Sequence, residues 1–277
     1  MTGPDQLTHG LAAALARINL PAPEGLERLS GGANMESWRF RAGDVLCVLR
    51  RAPSLEMMAG RPMDHAGEAQ VVRAARAAGV MAPEVLVELE PGDGIGSGYV
   101  MRAISGSPDP NAFLAEADPA LAIRDIAREL VATHRTDCTG VPVPVMDTAS
   151  ALAELRSRFM AYGGDRPILA LALRWLEANI PPPVAPSLVH GDFRLGNLMF
   201  EHGRVTGVLD WELAHLGDWH ENGSWAAHLH FQIITDLLAQ TSGNFFGVGQ
   251  ESLWDVWQSV SPDPNLILRL PPRRFHL

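Results

Sequence analysis

Two short stretches carry the residue types that could do chemistry. They are His190-Gly191-Asp192-Phe193-Arg194-Leu195-Gly196-Asn197 and, further on, Val208-Leu209-Asp210-Trp211-Glu212. Asp192 and Asn197 lie five residues apart, and Asp210 follows 13 residues after Asn197, at the end of an apolar run. An amide and a carboxylate oxygen, Asn197 and Asp210, are hard donors of the kind Mg²⁺ accepts beside phosphate oxygens. Asp192 is then the group that can take the proton of an attacking hydroxyl. Phosphoryl transfer needs little more from a protein than a positioned donor, neutralised charge and an oriented nucleophile. A surface loop whose polar residues only cap turns would use the same residue types, but two such motifs in register favour chemistry.

Other candidate sites fall away on spacing. Gly92, Gly94, Gly96 and Gly98 contain no Gly-x-Gly-x-x-Gly, and no Gly-x-Ser-x-Gly exists for a nucleophile elbow. His215, His220, His228 and His230 form no His-Glu-x-x-His and have no cysteine pair beside them, so they read as scattered histidines. Cys47 and Cys138 lack metal-ligand spacing and cannot build a disulfide framework; they read as small hydrophobes in a reducing compartment.

The elements that must position the motifs fall into two groups. Leu7, Leu11, Leu15 and Ile18 predict an opening helix ended by Pro21 and Pro23. Residues 26–29, 37–41 and 45–50 read as three strands, the first two separated by the glycine turn Ser30-Gly31-Gly32-Ala33-Asn34. The apolar run of the third strand predicts burial on both faces. A helix over 64–79 and strands over 85–89 and 99–104 complete a small five-stranded region. Ser105-Gly106-Ser107-Pro108-Asp109-Pro110 is the best linker in the chain. Beyond it, helices are predicted from Asp118 to His134, over 149–162 and over 168–180, the last stopped by three prolines. Residues 188–190 and 205–209 read as short strands flanking the polar catalytic stretch. Phe231 to Leu238 fits a helix, and Leu266 to Leu277 looks irregular.

Composition narrows the partners. The 277-residue chain is 47% hydrophobic and 19% charged, enough for a sizeable core. All 22 basic residues are Arg, so a phosphate loop ending in Gly-Lys and a Schiff-base lysine are both excluded. A net charge of −10 opposes a nucleic-acid backbone, so no nucleic-acid partner is expected. The N-terminus lacks a signal-peptide pattern and no apolar stretch reaches 18 residues, so no membrane partner and a cytoplasmic location are expected.

The combination of Leu49-Arg50-Arg51, His190-Gly191-Asp192-Phe193-Arg194-Leu195-Gly196-Asn197 and Leu209-Asp210-Trp211-Glu212-Leu213-Ala214 resembles the aminoglycoside phosphotransferase and choline kinase family. Within it, the wording resembles the kinase-like domains fused to some acyl-CoA dehydrogenases. The resemblance runs over roughly residues 25 to 220. It implies an α+β, two-lobed, protein-kinase-like fold: a small five-stranded antiparallel-sheet lobe over 1–104 that binds nucleotide, and a mainly helical lobe over 105–277 for catalysis and acceptor.

It further implies ATP and Mg²⁺ as cofactors, Asp192 as catalytic base, and Asn197 and Asp210 as metal ligands. Ser30, Gly31, Gly32 and Arg50 would hold phosphates, Glu68 would steady Arg50, and Met101 would belong to the hinge that reads adenine. Arg50 departs from the lysine usual in kinases, though guanidinium also grips phosphate. A strand-end arginine, a solvated Glu68, a plain hairpin turn at 30–34 and a core Met101 are the structural alternatives. Arg194 would touch the γ-phosphate or pair with an acid, and Glu212 would support the site from behind. The implied function is transfer of the ATP γ-phosphate to a hydroxyl of a small molecule, aminoglycoside, choline-like or hydroxyacyl. A nucleotide-binding module without turnover and a metal-dependent hydrolase are the rivals. Trp219 and Asn222 stand where the family usually has Pro and Asp, and the tail beyond about 231 does not follow its pattern.

Overall fold

The computed structural model describes residues 4–29, 35–180 and 182–218. The glycine turn 30–34 and the expectations for residues 219–277, including His220, His228 and His230, lie outside the described residues.

The first region is an antiparallel sheet with a helix on one side. Helix α1 (Pro4–Ala16) buries Leu7, Leu11 and Leu15, the apolar face its sequence spacing predicts. Strands β1 (Glu24–Leu29), β2 (Glu36–Ala42), β3 (Val45–Ala52), β4 (Val85–Glu88) and β5 (Ser97–Arg102) pair in the order β1-β2-β3-β5-β4. The expected two-sided burial of β3 is not what the fold does. Cys47 and Leu49 join the core under α1, while Leu46, Val48 and Arg50 alternate onto the opposite face and Leu46 is partly exposed. An apolar run reads alike in one- and two-sided strands; the sheet's partners decide.

Helix α2 (His65–Ala77) starts at Asp64, whose side chain accepts the Gly67 amide. Its Val71, Val72 and Ala75 do not join the core under α1. They pack into a second core with α4 and the segments that carry the catalytic motifs. A further tie lies at Met81, just after α2. Its amide donates to Glu129 Oε2 at 2.7 Å, and its carbonyl accepts the Val208 amide at 3.0 Å. The sheet region is thus fastened to the strand that leads into Asp210.

The second region holds α3 (Pro110–Glu116), α4 (Pro119–His134), α5 (Thr148–Ala161) and α6 (Pro167–Ala178). Asp109, Asp118 and Asp147 cap α3, α4 and α5. The two short strands expected around the catalytic stretch do not pair with each other. β6 (Ser187–Val189) pairs with β9 (His215–Gly217), and β7 (Leu198–Glu201) forms a hairpin with β8 (Arg204–Val208). His202 and Gly203, both at positive φ, make the hairpin turn, a pair outside the usual Asn-Gly signal. Among the described residues no helix is long and apolar enough to cross a membrane.

Candidate active site

The loop that carries Asp192 and Asn197 is built on a buried histidine. His190 follows β6 and is wholly enclosed, edge-on to Phe193 and tilted against Trp211. Its Nε2–H donates to the Leu209 carbonyl at 3.0 Å, and its Nδ1 accepts the Asp192 amide at 3.3 Å. Burial holds its pKa down to about 4, so the ring is neutral and can serve as donor on one side and acceptor on the other. One imidazole thereby fixes the backbone at Asp192 and at the residue before Asp210. The glycine between His190 and Asp192 has a spatial reason. Gly191 sits at φ +81°, and a Cβ there would lie 2.2 Å from the Leu213 carbonyl oxygen.

Asn197 closes the loop. Its Nδ2 donates to the carbonyl oxygen of Asp192 at 2.9 Å and to Asp192 Oδ2 at 2.8 Å. Its own carbonyl accepts the Leu209 amide at 2.8 Å. Asp210 then takes a left-handed backbone, φ 66°, which Asp tolerates better than most residues and which ends the run of β8. Buried Trp211, donating to the Val208 carbonyl, anchors the turn between Asp210 and Glu212. With its amide nitrogen spent on Asp192, Asn197 has its side-chain oxygen left for a cation, and Asp210 adds a carboxylate. That donor set fits Mg²⁺, which takes one or two protein oxygens and completes its shell with water and phosphate. Among the described residues no three of His, Cys, Asp and Glu gather into a metal cage of their own.

From the sheet side comes Arg50, on β3 opposite Tyr99 of β5. Close approach of the two strands requires glycine at 98, where a Cβ would lie 2.2 Å from the Arg50 carbonyl oxygen. Arg50 Nε pairs with Glu68 Oε1 at 3.1 Å, and its Nη2 donates to Asp210 Oδ1 at 2.7 Å and Glu212 Oε2 at 2.8 Å. Only 12% of the Arg50 side chain and 4% of Glu68 are exposed. Burial opposes the guanidinium charge, but Glu68, Tyr99, Asp210 and Glu212 outweigh it and its pKa is raised. Burial also raises Glu68, against the pull of Arg50 and of the Tyr99 hydroxyl, which donates to Glu68 Oε1 at 3.0 Å.

The structure therefore brings together Asp192, Asn197, Asp210, Arg50 and Glu68 through an unbroken series of bonds. Met101 is not part of that series. It is half-buried in β5, in register with Val48 and Val85, and the chain leaves the sheet after Arg102. Ser30, Gly31 and Gly32 lie outside the described residues. Arg194 pairs with an acid, its Nε donating to Asp192 Oδ2 at 2.9 Å. Sequence reasoning missed two participants. Tyr99 falls in a strand the sequence predicts, but only the β3–β5 register places it across from Arg50. Arg61, which bonds Glu212, carries no spacing signal at all.

A family model described as the phosphotransferase enzyme family matches residues 25–262. The chain belongs to that family. The match extends past residue 220, where the motif resemblance was expected to stop. Among curated relatives of this phosphotransferase-family chain, acyl-CoA dehydrogenase family member 10 of Mus musculus is 29% identical over 217 residues, 71% of this chain and 19% of that protein. Family member 11 of Gallus gallus is 28% identical over 224 residues, 74% of this chain and 28% of its own. The chain thus spans well under a third of the length of these relatives.

Solved structures share its fold, among them the following two. Macrolide 2'-phosphotransferase MphH from Brachybacterium faecium has a TM-score of 0.62 at 18% identity, over 98% of this chain and 100% of that one. APH(2")-IIa, in a streptomycin–ATP ternary complex, has a TM-score of 0.60 at 16% identity, over 91% of this chain and 83% of that one. The fold is accordingly the two-lobed, kinase-like α+β fold of these phosphotransferases.

Proposed function

We propose that the chain transfers the γ-phosphate of ATP to a hydroxyl of a small molecule. The observation that carries this reading is the fastening of Asp192, Asn197 and Asp210 into one bonded unit, with Arg50 reaching it from the sheet. In this reading Asp192 accepts the hydroxyl proton, held in place by Asn197 and by its own amide's bond to His190. Asn197 and Asp210 hold Mg²⁺, which when bound neutralises phosphate charge. Arg50, steadied by Glu68, takes phosphate oxygens together with Ser30, Gly31 and Gly32, and the backbone around Met101 meets adenine. Residues 1–104 act as the nucleotide lobe and 105–277 as the catalytic and acceptor lobe, in the cytoplasm. The solved relatives name streptomycin and macrolides as partners or substrates. For this chain the acceptor is proposed only as a hydroxyl-bearing small molecule, with aminoglycoside, choline-like and hydroxyacyl compounds as the first panel.

One observation favours the second reading, a nucleotide-binding module without turnover: Arg50 is already bonded to Asp210 and Glu212. Calorimetric titration with ATP, with and without Mg²⁺, tests both. Mg²⁺-dependent binding is expected, and no binding by folded protein overturns the nucleotide site. Asp192→Asn then separates the readings. A catalyst loses transfer to its acceptor while keeping nucleotide affinity; a binding module has no transfer to lose.

A further inference from the structure

Two arginines from different elements converge on one oxygen. Glu212 Oε2 accepts from Arg50 Nη2 at 2.8 Å and from Arg61 Nη1 at 2.9 Å. Arg61 stands on the turn between a short 3-10 stretch (Leu55–Met58) and α2. Its amide donates to the Met58 carbonyl at 3.2 Å, and Asp64, three residues on, caps α2. The Arg61 backbone is thus tied to the 3-10 stretch, three residues before the cap of the helix that carries Glu68. Its side chain is 21% exposed. Guanidinium nitrogens gathered on a single anionic oxygen are the arrangement a phosphate oxygen takes between arginines.

We infer that Arg61 is a second phosphate-binding arginine, and that Glu212 occupies the phosphate position until nucleotide displaces it. The inference rests on the nucleotide site proposed above. Charge supports it. Arg50 and Arg61 face Glu68, Asp210 and Glu212, two positive groups against three negative ones. His65, buried beside them, adds nothing, because burial and the two arginines hold its pKa down to about 4. A polyphosphate cannot join a cluster that is already net negative unless a carboxylate leaves or a cation arrives. Glu68 is sealed in, and Asp210 is the carboxylate assigned to the metal. Glu212, on the turn after Asp210 and 30% exposed, is the group free to swing away. Its departure releases two guanidinium groups at once, one from β3 and one from the turn before α2, to take phosphate oxygens.

The test is calorimetry of the full chain with ADP and with adenosine in EDTA, repeated for ADP with Mg²⁺. Arg61→Gln is expected to weaken ADP binding about tenfold, the scale of one charge-assisted hydrogen bond in a partly exposed site, and to leave adenosine unchanged. Arg61→Lys is expected to recover part of the loss. Glu212→Gln is expected to move the other way, tightening Mg²⁺-free ADP about tenfold by removing the competing charge. ADP affinity unchanged in Arg61→Gln, or lost equally for ADP and adenosine, overturns the role of Arg61. Mg²⁺-free ADP bound no better by Glu212→Gln overturns the displacement, and that variant still reports if Arg61→Gln does not fold. Wild-type protein that binds neither ligand removes the nucleotide site itself, a distinct failure that takes this inference with it.

Discussion

On the sheet side of the site, Arg50 and Tyr99 are both bonded to Glu68, and all three side chains are largely buried. On the catalytic-loop side, Asp192, Asp210 and Glu212 each keep a quarter to a third of the side chain exposed. Both sides bond their charges, but the consequences differ. A buried ion pair tolerates the loss of neither partner, because the survivor is left desolvated and unpaired. Carboxylates that keep this much contact with water can exchange an arginine for a cation at smaller cost. The first arrangement holds Arg50 in position; the second leaves acidic oxygens ready for a proton or a metal. Two of the three histidines buried among the described residues, His190 and His65, make a further contrast. His190 has both ring nitrogens bonded, whereas His65 bonds Ser97 through Nδ1 and its Nε2 has no partner among the described residues.

The largest effect expected from breaking this contrast is on turnover. Asp192→Asn should lower kcat by about 10²- to 10⁴-fold, the usual share of a general base, with the thermal midpoint nearly unmoved. Steady-state kinetics beside a melting curve would check it. A large loss of stability would mean that the loop side, too, is a structural ion-pair network.

Glu68→Gln should act mainly on stability, by about 3 kcal/mol, because it leaves Arg50 short of its most buried partner. Urea unfolding of the two variants in parallel compares the halves directly. A cost no greater than that of Asp192→Asn would erase the distinction drawn between them.

Acid should act on both histidines in the same window, and substitution isolates the share of His65. The pKa of His65 falls from 6.5 to about 4 on folding, mainly by burial. The unfolded chain therefore binds the extra proton first, so this group's contribution is full above about pH 6.5 and declines as pH falls toward 4. His65→Asn retains a nitrogen or oxygen for Ser97 and removes the titrating ring. Relative to that variant, wild type should lose about 2 kcal/mol between pH 7 and pH 5. Parallel curves at the two pH values would show that His65 is not held neutral. The smallest effect belongs to the outer edge of the sheet. Breaking the exposed Arg39–Glu27 pair with Arg39→Ala should not shift the unfolding midpoint measurably.

Much of the fold was legible beforehand because local rules wrote it. Leu7, Leu11 and Leu15 mark α1 by spacing, Asp118-Pro119 marks the start of α4, and Gly43-Asp44 marks the β2–β3 turn. The hairpin of β7 with β8 was not legible, since strands this short have almost no periodicity and His202-Gly203 is a weak turn signal. Of the site, Asp192, Asn197 and Asp210 stood out because they come from a compact motif. Arg50 and Glu68 needed the family resemblance, being 18 residues apart with no pattern between them.

By itself, then, the sequence determined the candidate catalytic residue types, most of the order of strands and helices, and membership of a phosphotransferase family. Only the tertiary structure decided which charges meet. Arg50 and Asp210 are 160 positions apart, Arg61 and Glu212 are 151 apart, and no local rule couples residues at such separations. Their pairing depends on how β3, α2 and the turn after β8 are packed together. That packing is settled by the core shared between α2 and the catalytic segments and by the double tie at Met81. The requirement for Gly191 has the same origin, because it is the Leu213 carbonyl, folded back from 22 residues away, that leaves no space for a side chain.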